Sequence, residues 1–312
     1  MQQDYQQMLQ AYATAEGNPL IFRDSRIAHL VVHKNKVLGS HLVAGLELVP
    51  TEEEEGISLK LRLIKNTRLE YPVHLCFGII PEEGQQVIRI QADIEDNASI
   101  KIIAHCVFPN AVRIIHKMDA QIKIGDNSSY EYNEVHFHGN NGGISVLPKA
   151  RISLGKKSHL VTNFSLLNGR VGLFDLDYDT VVGEDSSLEM SAKIYGFADD
   201  VIKLKEVGRL IGRNARGVIK SRIAVKERAQ SEVINEMIAD APDARGHVDC
   251  IEIIQGNATA KAVPIVDVRN EFAQVTHEAA IGRVDKKQIE TLMARGLDEE
   301  QAIDVVISGM LK

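Results

Sequence analysis

A chain of 312 residues is long enough to bury a full core, and 44% apolar with 25% charged residues marks it as globular rather than disordered or fibrous. Its 36 basic and 43 acidic residues leave a net charge of −7, which removes the electrostatic case for nucleic acid. No run approaches the about 18 apolar residues of a membrane span, and MQQDYQQ does not read as a secretory leader, so a cytoplasmic protein is expected.

Residues 2–15 carry Tyr5, Met8, Leu9 and Tyr12 at helical spacing, which predicts a short amphipathic helix docked on its own domain. Strand-like runs follow at 27–32, 43–48, 57–63 and 73–80, and TEEEEG between the second and third reads as a solvated hairpin tip. Cys76 in PVHLCFGII and Cys106 in KIIAHCVF read as core thiols. The third cysteine is Cys250. None of the three stands in a CxxC, which argues against a disulfide framework or a self-contained zinc site.

From residue 94 the chain repeats itself. The pieces IEDNASIKI, IGDNSSYEY, LGKKSHLVT, VGEDSSLEM and IGRNARGVI start at Ile94, Ile124, Leu154, Val182 and Ile211, which are 30, 30, 28 and 29 residues apart. Beyond Ile211 the beat halves, with Val225, Ile254 and Val268 at intervals of 14, 29 and 14. Short alternating strands at such a period form units that bury their apolar faces only by stacking. The reading is therefore mainly β: a β-helix with two turns to each full repeat. Aromatics at 5% and the absence of Trp suit a core stacked on Ile, Val and Ala.

After the solenoid the period becomes 3.6. Asp285 caps a helix with Ile289, Leu292 and Met293 on one face, closed at Gly296; Asp298 caps a second with Ala302, Val305, Val306 and Ile307, closed at Gly309. Such a hairpin is too small to fold alone and must dock on the coil, leaving a surface for a partner. The expected division is an N-terminal helix and strand region at 1–90, a β-helix core at 91–282 and a helical segment at 283–312.

There is no Walker A loop, no G-x-S-x-G elbow and no dinucleotide fingerprint. Asp175, Asp177 and Asp179 alternate without the Gly and Glu of a calcium loop, so they read as an exposed strand face. Two constellations remain. In EVHFH, inward Val135 and Phe137 would put Glu134, His136 and His138 on one outward face, either as ligands for a divalent ion or as plain sheet polarity. In HVDCIEII, inward Ile251 and Ile253 would send Cys250 and Glu252 outward, with His277 and Glu278 of VTHEAA nearby on the stacked coil. Thiol, imidazole and carboxylate together suit iron, an iron–sulfur cluster or zinc; the alternative is an unmodified surface thiol.

Gly256-Asn257-Ala258 to Pro264, Asp267-Val268-Arg269-Asn270 and Thr276-His277-Glu278-Ala279 resemble the core of the SufB/SufD family. Leu292-Met293-Ala294-Arg295-Gly296-Leu297, with Glu299-Glu300-Gln301-Ala302 and Gly309, is similar to its closing helices. The resemblance runs roughly from Ile94 onward. It implies a right-handed parallel β-helix serving as a scaffold, not an enzyme, on which a transient iron–sulfur cluster of the four-iron type is assembled. It also implies that the C-terminal helices bind a SufC-like ABC-type ATPase and that two scaffold chains pair through their β-helices. His277 matches the histidine SufD places at the scaffold interface, Glu278 follows SufB, and Cys250 is left to stand for the family's assembly cysteine. The chain resembles the short, undifferentiated form in which one polypeptide fills both roles as a homodimer. Its ligands would then be Cys250, Glu252, His277 and Glu278 from both copies across a two-fold axis. The rival readings are a metalloenzyme built on Glu134, His136 and His138, and a metal-free structural solenoid.

Overall fold

The computed structural model describes residues 2–311. Helix α1 (Gln2–Thr14) and a 3-10 turn (Pro19–Arg23) precede a stack of parallel strands that alternate between two facing sheets. Each full repeat is one coil and not the two turns expected, because its two strands lie in opposite sheets and each pairs with the strand one repeat away. Arg113–Ile124 lies in one sheet and Ser129–His138 in the other, and each pairs in register with its counterparts in the coils on either side. The repeat heads stack, since Ile94 pairs with Ile124 and Ile124 with Leu154. Further along, Val182 pairs with Leu210 rather than Ile211, which the corner beginning there turns out to solvent. The protein is thus mainly β, a solenoid with helix at its two ends.

The polar motif after each head forms a corner. Asn97, Asn127, Lys157, Asp185, Asn214 and Asp243 all adopt positive φ, between 52° and 61°. Asn and Asp enter that left-handed region most readily among residues with a side chain. One residue later the chain reaches back a coil. The hydroxyls of Ser128, Ser158 and Ser186 donate to the carbonyls of Glu95, Gly125 and Gly155 at 2.7, 2.6 and 2.7 Å. The serine that follows the positive-φ residue therefore forms a ladder joining successive corners.

Inside, one apolar core runs without a break from Ala28 to Ala258. The first coil is closed by antiparallel strands, His29–His33 with Lys36–His41 and Leu46–Glu52 with Gly56–Leu63, the latter a hairpin whose tip is the acidic run read from sequence. At the other end Thr259–Val268 and Gln274–Gly282 are the last strands of the two sheets, and among the described residues nothing pairs with their outer edges. Ile265, Val266, Val268, Phe272 and Ile281 are exposed there.

Helices cover the outside of one sheet at two places. Near the start, α1 seats Met8 and Tyr12 on Val31, Cys76 and Val107. Near the end, α2 (Lys286–Met293) and α3 (Glu299–Leu311) seat Ile289, Ala302, Ile303 and Ile307 on Ala224 and Ile253. Asp175, Asp177 and Asp179 point outward as expected, with Asp177 paired to Arg151 and Asp179 to Arg209. Among the described residues no helix is long and apolar enough to cross a membrane.

Candidate functional site

Both constellations face the opposite way from the sequence reading. Cys250 and Glu252, expected outward, lie inside the solenoid with 0% and 1% of their surface exposed. Ile253, expected inward, lies outside and is buried only because α2 and α3 cover it. Glu134, His136 and His138 are likewise interior, while Val135 and Phe137 face out, Phe137 against the patch beneath α1. A helix laid on the outer face makes apolar residues suitable on both sides of a strand. Alternation then ceases to say which side is the core.

Cys250 and Glu252 belong to a polar group set into the apolar interior. The Asn235 amide donates to Cys250 Sγ at 3.4 Å and to Ser221 Oγ at 3.2 Å, and the Ser231 hydroxyl donates to Glu252 Oε2 at 2.9 Å. Glu206, one coil back and in register with Asn235, completes the group. Glu206 Oε2, Asn235 Oδ1 and Glu252 Oε1 are buried without hydrogen-bond partners. Burial raises the Cys250 thiol above its usual value, opposed by the donors Ser221 and Asn235. Burial also pushes Glu206 up to about 8 and, against the Ser231 hydrogen bond, Glu252 up to about 7. The sequence had a signal for Glu206, Ser221 and Asn235 that the reading did not use. Each breaks an otherwise apolar inward parity, as Glu206 does after Ile202 and Leu204.

A pH dependence follows. Both carboxyls titrate higher folded than the 4.5 of an ordinary glutamate. Their contribution to stability is therefore complete below that value and is lost as pH rises through 7 to 8. Buried His116 and His136, held near 3 by desolvation, are neutral in both states above pH 7, so the fall there belongs to the carboxyls. For Glu206 the whole swing is on the order of 3–5 kcal/mol. Melting temperatures across pH 6 to 9 are expected to decline in the wild type and to flatten in Glu206→Gln. Parallel curves for the two would show that Glu206 is not buried in this way.

His277 and Glu278 sit on the final coil and part company. Register pairs His277 with inward Val248 and Glu278 with outward Asp249, while Cys250 pairs with Ala279. His277 thus faces the open end of the interior, and Glu278 flanks it on the outer surface, both exposed. The four expected ligands do not form one outward patch. Cys250 and Glu252 lie one coil below an uncapped mouth at which His277 stands.

A second interior group occupies the early coils. Cys106, His116, Glu134 and His136 present ligand atoms within 4.8 Å of one another, all buried. Cys106 is the core thiol expected from sequence, yet its partner in register is His136, so the strands bring thiol and imidazole together. His116 reaches in from the facing sheet. Burial raises Glu134 above the usual carboxylate range. Every member of this group is buried.

The N-caps of the C-terminal hairpin are as read, but α3 runs through Gly309 to Leu311 instead of stopping there. Asp285 accepts from the Lys287 amide at 2.7 Å, and Asp298 and Gln301 form a reciprocal capping box at 2.8 and 3.1 Å. Lys226 and Tyr195 fix α3 to the solenoid through Asp304, at 2.9 and 2.6 Å. On the side away from the solenoid, Leu292, Val305, Val306, Gly309 and Met310 line an apolar groove between the two helices.

Residues 79–310 match the model of the SUF system FeS cluster assembly, SufBD core domain. An iron–sulfur cluster assembly SufBD family protein of Methanocaldococcus jannaschii is 38% identical over 282 residues, 90% of this chain and 89% of the relative. A second, from Pyrococcus horikoshii, is 34% identical over 308 residues, 99% of this chain and 94% of the relative. A chloroplastic family member of Arabidopsis thaliana is 24% identical over 260 residues, 80% of this chain and 46% of the relative. With these matches over most of its length, the chain belongs to the SufBD family of iron–sulfur cluster assembly proteins.

Proposed function

We propose that this chain is the scaffold on which a nascent iron–sulfur cluster is held, working as a homodimer with a SufC-like ABC-type ATPase. The observation that carries the reading is the uncapped last coil, with His277 in its mouth and Cys250 and Glu252 one coil beneath. The open edges of Thr259–Val268 and Gln274–Gly282, with their exposed Ile265, Val266, Val268 and Ile281, suit pairing with a second copy. A two-fold axis would bring both mouths together and supply the several ligands a cluster needs, two thiols among them. A cluster held partly by oxygen and nitrogen ligands would stay transferable, as assembly requires.

The chain carries no phosphate-binding loop, so the energy for opening the buried thiol to its cargo must come from a partner. The apolar groove of the hairpin is the surface that would receive that ATPase. ATP-driven movement at α2 and α3 would act directly on Ile253, which shares a strand with Cys250 and Glu252. The test is anaerobic co-expression of the chain with an ATPase of the SufC kind. A complex containing two scaffold chains, iron and labile sulfide is expected. A monomeric chain that captures neither the ATPase nor sulfide would overturn the reading.

A further inference from the structure

The interior group of the early coils fixes its own protons. His138 Nδ1 lies 3.2 Å from the carbonyl oxygen of Arg170, which can only accept, so that nitrogen carries the hydrogen. Neutral His138 then has a bare Nε2, and this accepts from His136 Nδ1 at 3.1 Å. His136 is left with its Nε2 lone pair facing Glu134 Oε1 at 2.8 Å. Two lone pairs do not meet at that distance unless something positive stands between them. The same carboxylate oxygen is 3.6 Å from Cys106 Sγ.

A proton on Glu134 would settle that one contact and nothing more. Glu134 Oε2 and His116 Nδ1 would remain buried without partners, as they are here. A metal ion between His136 Nε2 and Glu134 Oε1 would settle the same contact and would also draw on the buried thiol of Cys106 and the ring of His116. A thiolate and a carboxylate neutralise a divalent cation, giving a set with no net charge, the state an apolar interior tolerates. Ligand atoms around a tetrahedral ion stand about 3.3–3.6 Å apart, and those of this group already lie within 4.8 Å of one another.

We propose that Cys106, His116, Glu134 and His136 hold one divalent transition-metal ion, zinc or ferrous iron, as a resident structural ion of the solenoid. One thiolate, two imidazoles and a carboxylate suit ions of borderline softness, and four protein ligands without an open position mark a structural site. Binding releases the thiol and carboxyl protons to solvent as the site forms. The His136–His138–Arg170 carbonyl relay is the outer support that such histidine ligands use to fix ring and tautomer. The ion would tie Ser99–Phe108 to Ser129–His138 in one sheet and both to Arg113–Ile124 in the other. It stands apart from the cargo. Five ladder steps separate the strands of Cys106 and Cys250, roughly 24 Å at the usual strand spacing.

The test is metal and sulfide analysis of the chain produced in zinc-, iron- or cobalt-supplemented medium. One ion per chain beyond any iron that accompanies labile sulfide is expected, and the cobalt form should show a thiolate-to-metal charge-transfer band. Cys106→Ser and His116→Gln should lose the ion and the band, with a lowered melting temperature but an unchanged β circular dichroism spectrum. Cys250→Ser should keep both ion and band. If Cys106→Ser fails to fold, His116→Gln and Glu134→Gln decide the matter by the same readings. A folded wild type without a stoichiometric ion overturns the proposal, as does an ion that survives the ligand substitutions or departs with Cys250→Ser. Sulfide binding and ATPase capture are separate measurements, so either reading can fail without the other.

Discussion

Val305→Asp combined with Met310→Asp is expected to abolish capture of the ATPase while leaving the solenoid folded. Each side chain is 49% exposed on the groove side of α3, away from the contacts with Ala224 and Ile253 that hold the hairpin down. Placing two carboxylates in an apolar contact means stripping them of water, which costs several kcal/mol when no partner charge is present. A loss of affinity of about 100-fold or more follows. Deleting residues 283–312 is the blunter experiment, because it also uncovers Ile253 and Ala224 and so confounds docking with packing. Pull-down with the ATPase, beside a melting curve, checks the prediction. Retention at wild-type affinity would place the docking surface elsewhere.

Cys250→Ser should remove the cluster. Serine keeps the shape and the hydrogen bond from Asn235 but cannot supply thiolate sulfur, so the fold should persist while labile sulfide falls at least about tenfold. Cys76 offers a control. It lies beneath α1 with its thiol pushed up to about 12 by burial, and Cys76→Ser should leave iron and sulfide unchanged. His277→Ala should weaken loading less than Cys250→Ser, since a nitrogen ligand at the mouth is lost while the sulfur beneath remains. Anaerobic reconstitution followed by iron and sulfide determination reads all three. Full sulfide in Cys250→Ser would show that the working thiol is another.

The fold was legible because its signal is repetition. A 28–30-residue beat needs only that heads and corners recur, and Ile94, Ile124 and Leu154 stack as the alignment of the pieces implies. The hairpin was legible because the caps Asp285 and Asp298 are local. Orientation was not legible. Choosing the inward face of EVHFH and HVDCIEII by apolar content fails where helices from distant parts of the sequence cover Phe137 and Ile253 from outside. The neighbouring coils would have corrected it. Cys106 shares a face with Ile102 and Phe108, and register carries that face to His136. His116 could not be placed with them without knowing that the facing sheet brings it across.

On the proposed function, a cluster is held at the uncapped end of the solenoid, between two copies of the chain. Labile sulfide measured across size-resolved fractions tests it most directly, using the reconstituted wild type and a variant with its edge charged by Ile265→Lys and Val266→Lys. Both positions are exposed on the last strand of their sheet, so the variant should fold yet stay monomeric. Sulfide is expected to travel with the wild-type dimer and to be missing from the monomeric variant. Equal sulfide in monomer and dimer, or none in either, would contradict the account.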